Sequence, residues 1–97
     1  MLESFTAETF AVLVGDEFRV HGDDGRVHEL RLAAAVPVGL APANGREPFS
    51  ILFRGPDAPI LPQRTYAVEH ATLGRFDLFL VPLGPDDAGA RYEAVFS

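Results

Sequence analysis

Among its 97 residues the chain has no cysteine and no lysine. Without cysteine there is no disulfide framework, no thiolate zinc site and no cysteine nucleophile, so stability rests on packing alone. Without lysine, Schiff-base chemistry and serine–lysine catalysis are excluded. Positive charge is scarce altogether: eight arginines stand against 14 acids, for a net charge of -6. A phosphate backbone or an anionic bilayer needs a positive surface, so neither nucleic acid nor membrane is expected as a partner. Long apolar runs are missing as well. The longest uncharged stretch, residues 32–45, is broken by Pro37, Gly39 and Pro42 and falls short of the roughly 20 apolar residues that span a bilayer. Residues 1–10 carry Glu3 and Glu8 where an export signal needs a basic start and an apolar run, so a cytoplasmic protein is expected.

What remains is an ordinary globular composition, 47% hydrophobic and 23% charged, enough for one core and too little for two. A single domain over 1–97 is expected. Thr6 followed by Ala7, Glu8 and Thr9, with Gly15 at a stop position, reads as a short helix capped by Thr6. Phe5 and Phe10 then have the spacing of a hydrophobic staple, and Phe10, Leu13 and Val14 form one apolar stripe that needs a docking surface.

After Gly15 the period changes to two. Phe18 and Val20 mark a first strand, residues 22–25 (Gly-Asp-Asp-Gly) a turn, and Leu30 and Leu32 a second strand over about 26–35. Residues 37–45 read as a loop. Pro48 opens a third strand with Phe49, Ile51 and Phe53 on one face, leaving Leu52 on the polar side. Tyr66, Val68 and His70 define a fourth, and Tyr92, Ala94 and Phe96 a sixth. The fifth, residues 75–83, carries Phe76, Leu78 and Leu80 on one face and Phe79, Val81 and Leu83 on the other, the pattern of a strand buried on both sides. Six short strands joined by tight turns, with no helix long enough for a parallel crossover, predict an all-β fold: a six-stranded antiparallel barrel or a compact sandwich with one short amino-terminal helix.

The string at residues 46–56 (REPFSILFRGP), then Leu61-Pro62-Gln63, residues 66–70, 79–82 and 91–96, resembles a small bacterial family of unknown function, DUF6916. The resemblance covers nearly the whole chain and carries no mechanism with it. It implies an assembly-related setting, beside phage-tail-like or tail-collar-like proteins.

Candidate chemistry is thin. His21, His28 and His70 share no ligand spacing on one element, and a metal site would need three donors to converge. Asp23-Asp24 and Asp86-Asp87 are adjacent acids beside glycine, which is turn chemistry and lacks the alternating oxygens of a calcium loop. No hydroxyl lies in a nucleophile elbow. No catalytic residue, metal or cofactor is therefore expected. The feature that departs from a minimal β domain is surplus apolar surface on the second face of strand five, joined by Leu52 and Val95. Two explanations stand open: the helix or a second sheet covers it, or a protein partner or second copy of the chain does. In the latter case the interface comprises Leu52, Arg54, Arg75, Phe79, Val81 and Arg91, since interfaces favour aromatic residues and arginine. A function of another class, a small-ligand-binding barrel or enzyme, would use His28, Tyr66 and His70 as its polar groups.

Overall fold

A computed structural model describes residues 4–38 and 47–96. One helix, α1 (Ala7–Ala11), precedes six strands: β1 (Glu17–His21), β2 (Val27–Pro37), β3 (Phe49–Gly55), β4 (Arg64–His70), β5 (Gly74–Pro82) and β6 (Ala90–Phe96). Every pairing is antiparallel, and the strands close in the order β1-β2-β3-β6-β5-β4. The architecture is thus the barrel and not the sandwich. Closure removes both free sheet edges, each of which would expose unpaired backbone.

Alternation along the strands fills the interior. Phe18, Val20, Leu30, Leu32, Ile51, Phe53, Val68, Leu80, Tyr92 and Ala94 are all 1% exposed or less, so each strand points one parity inward as a barrel requires. In β2 the parity changes once. Leu32 pairs with Phe53 but Ala34 pairs with Leu52, leaving Ala33 as an extra residue. Such a bulge re-aims the side chains that follow, so Ala35 packs on the core and Val36 turns outward.

Each barrel end is closed by a different device. At one end, Thr6 caps α1 through a reciprocal capping box with Thr9, and the staple forms, with the Phe5 and Phe10 rings edge to face at 5.4 Å. Phe10 drops fully buried among Phe18, Phe49, Phe76 and Phe96. At the other end the plug is a loop. Strands β3 and β4 stand three places apart whichever way the ring is counted, so the chain between them must cross the mouth. Leu61 is the buried residue of that crossing, and its N–H donates to the Tyr92 hydroxyl at 2.9 Å. The Tyr66 hydroxyl donates to the Pro62 carbonyl at 2.5 Å.

Four expectations need correction. The helix stops at Ala11 and Val14 is 48% exposed, so the stripe reduces to Phe10 with partial help from Leu13. The helix does not cover the second face of β5: it plugs the barrel end instead. Nor is β5 buried on both sides, because Phe79 is 50% and Leu83 37% exposed. A closed barrel has one inside, so a single strand cannot bury both of its faces in the core. Of the loop expected at 37–45, Pro37 is the last residue of β2, and 39–45 lie outside the described residues.

Candidate functional site

The outer wall carries the surplus apolar surface. Leu52 faces Glu93, and Glu93 faces Val81, forming one row across β3, β6 and β5. The neighbouring row runs Val36, Ser50, Val95 across β2, β3 and β6, with Ser50 itself buried at 6% exposure. Phe79 and Val95 each stand two residues beyond the Val81–Glu93 pair on the outward parity. Of the chain's eight phenylalanines, seven are at most 7% exposed and Phe79 is 50% exposed. Val95 at 61% and Val36 at 48% add apolar area to the same wall.

All six residues expected at an interface therefore lie on the outer wall, with Leu52, Phe79 and Val81 forming part of the apolar patch. Arg54 and Arg91 form the next row, directly opposite each other. Both are committed internally. Arg54 makes a two-pronged pair with Asp86, at 2.5 and 2.8 Å, while Arg91 Nε donates to the Gly84 carbonyl at 3.0 Å. Asp86 also accepts the Ala88 N–H. The Arg54 hydrogen bonds, with that of Ala88, hold the Asp86 carboxyl down to about 2, and the Asp86 bond pushes the Arg54 guanidinium up. Such pairing anchors the β5–β6 loop to β3. Arg75 faces Glu69 across β4 and β5 at the far end. Val36 and Val95 were not among the expected interface residues. Val95 was legible from its polar parity, whereas Val36 was not, because the bulge at Ala33 leaves no mark in the alternation.

The histidines do not converge; each stands beside its own carboxylate. His21 Nε2 lies 2.6 Å from Glu69 Oε1 on the adjacent strand, a bond that, with Arg19 and Arg75 nearby, draws the Glu69 carboxyl below its usual range. His70 is buried at the α1 end, where Nδ1 accepts the N–H groups of Thr72 and Leu73 and Nε2 lies 2.8 Å from Asp16 Oδ2. His28 is at the opposite end. Among the described residues no group of three or more histidine and acid side chains gathers in metal-binding geometry.

Of the three residues expected to serve a ligand, His28 and Tyr66 meet and His70 is excluded. The first two line a pocket of about 230 Å³ between the β1–β2 hairpin and the crossing loop. Gly22, Asp23, Asp24 and Arg64 complete its polar side, and Arg64 pairs with Asp23. Pro59, Ile60, Leu61 and Pro62 supply its apolar side. Burial pushes the Tyr66 phenol above its ordinary value. The crossing-loop contribution has no sequence signal, because it depends on β3 and β4 standing across the ring from each other.

These features define a class: a small closed antiparallel barrel, plugged at both ends, with an apolar patch outside and a small pocket at one mouth. The chain belongs to the family described as Domain of unknown function (DUF6916), whose profile matches residues 5–96. No curated protein and no solved structure matches it. No helix among the described residues is long and apolar enough to cross a membrane.

Proposed function

We propose that the protein is a non-enzymatic interaction or structural module that presents the outer wall around Phe79 to another protein surface. The observation that carries this reading is Phe79 itself, half exposed where the seven other phenylalanines are buried, with Val95, Val36, Leu52 and Val81 on the same outer wall. Exposed apolar side chains gathered on one wall of a small domain suit a contact, and Arg54 and Arg91 in the next row supply the polar rim that such contacts use. The occupant is a second copy of the chain or a different subunit of an assembly. The assembly-related setting that the family resemblance implies, beside tail-like proteins, favours the assembly, in the cytoplasm where cysteine-free stability is no handicap.

The test is the solution mass by light scattering over a wide concentration range, with wild type beside the double variant Phe79→Ser, Val95→Ser. An oligomer that the variant dissolves, at unchanged melting temperature, supports self-association through this wall. If the wild type is a monomer, a photoreactive residue at position 79 should crosslink to a discrete partner in cells. A monomer without such a crosslink removes the reading.

A further inference from the structure

Independently of the outer wall, the mouth pocket places His28 and Asp24 side by side. The His28 side chain is only 13% exposed, and among the described residues no hydrogen bond reaches either of its ring nitrogens. Asp24 Oδ1 stands 3.9 Å from Nε2, beyond bonding distance. The imidazole lines the pocket.

Two acceptors 3.9 Å apart can both be reached by one nitrogen donor sitting at ~2.9 Å from each. Neutral His28 offers the Nε2 lone pair in one tautomer, and Asp24 offers a carboxylate oxygen that already accepts the Arg26 N–H with capacity left over. Gly22 keeps the approach clear: a Cβ at this position would come within 2.8 Å of Asp24 Oδ1 and 3.1 Å of His28 Nε2, filling the space between them. Arg64 pairs with Asp23 and Arg26 Nε lies 3.7 Å from the other Asp24 oxygen, so the rim charges balance, and the sign of a guest is set by the two acceptors and by the net charge of -6, which draws cations toward the molecule.

Beyond the polar corner the wall is Pro59, Ile60, Leu61 and the ring of Tyr66, whose hydroxyl is already used by Pro62. That wall takes an apolar body. At about 230 Å³ the space lies below the range of ~300–1,000 Å³ that holds drug-sized ligands, which limits the body to a single ring or short chain.

We infer that this pocket binds a small organic cation, a primary ammonium on a compact apolar body, with the ammonium donating to His28 Nε2 and Asp24 Oδ1 and the body on Ile60 and Tyr66. The test uses three probes of one shape: benzylamine, benzyl alcohol and benzoate, titrated to millimolar concentration while the ring resonances of the three histidines are followed by NMR. Benzylamine should shift His28 saturably and leave His21 and His70 in place. The alcohol should bind at least about tenfold more weakly and benzoate more weakly still. Asp24→Asn and His28→Phe should each weaken benzylamine by at least about tenfold at an unchanged melting temperature. The probe comparison on the wild type stands by itself should either variant fold poorly. No saturable shift with benzylamine overturns the site. Equal binding of the alcohol would make it a plain apolar hole, and preferential binding of benzoate would make it an anion site led by Arg64; either result overturns the proposal.

Discussion

The hydroxyl of Tyr92, on β6, accepts the backbone N–H of Leu61 at 2.9 Å, binding the loop that closes one barrel mouth to the wall beneath it. Tyr92 is 1% exposed and Leu61 6%, so water cannot replace the bond. Tyr92→Phe keeps the ring and strands the Leu61 amide, and a buried unsatisfied donor costs about 1–3 kcal/mol. Urea unfolding should show a loss in this range, with faster hydrogen exchange at Leu61. An unchanged midpoint would show that the loop is not held this way.

Phe10 is the counterpart at the other mouth. It touches five phenylalanine rings, on α1's own approach and on β1, β3, β5 and β6. Phe10→Ala should cost about 3–5 kcal/mol, a large share of the roughly 5–15 kcal/mol that holds a domain folded. Thermal denaturation should place this variant far below Thr6→Ala, which removes the cap of a five-residue helix and should cost about 1 kcal/mol.

Acid should loosen the protein through Asp86 and Glu69. Both carboxyls are lowered in the folded state, Asp86 from 3.8 to about 2 by its Arg54 hydrogen bonds and Glu69 by His21. A group whose folded value is depressed stabilises above its unfolded value and loses that contribution as pH falls through the folded one. Stability should therefore decline between about pH 4 and 2. Arg54→Gln should flatten the decline; an equally steep acid limb in this variant would assign it to other groups.

His70 should exist as one tautomer. Its Nδ1 accepts two N–H groups from the β4–β5 turn, so Nε2 must carry the proton and donate it to Asp16. Nitrogen NMR of the imidazole at neutral pH should show the Nε2–H form alone. A mixture of tautomers would mean that the turn is not clipped to the α1–β1 junction.

Much of the fold is legible in the chain because it is local. Two-residue alternation in Phe18 and Val20, in Phe49, Ile51 and Phe53, and in Tyr92, Ala94 and Phe96 marks inward parity wherever one face of a strand is buried. The staple of Phe5 with Phe10 and the Thr6 cap are local for the same reason. The candidate sites were legible only in part. Leu52, Phe79 and Val95 stood out as apolar residues on polar parity, but alternation says that a residue faces away from the core and not what lies there.

Sequence by itself determined that this is a small all-β domain stabilised without disulfides, with six strands, a capped first turn of helix and more apolar surface than one core requires. Tertiary structure alone decided that the sheet closes, that the helix and the 56–63 crossing plug its two ends, that Phe79 stays outside, and that His28 and Tyr66 share a pocket from which His70 is excluded. The physical reason is the range of the interactions. Strand parity, turns and caps depend on residues a few positions apart, whereas closure rests on the β1–β4 and β3–β6 pairings, which join residues 35 or more positions apart and leave no periodic trace in either segment.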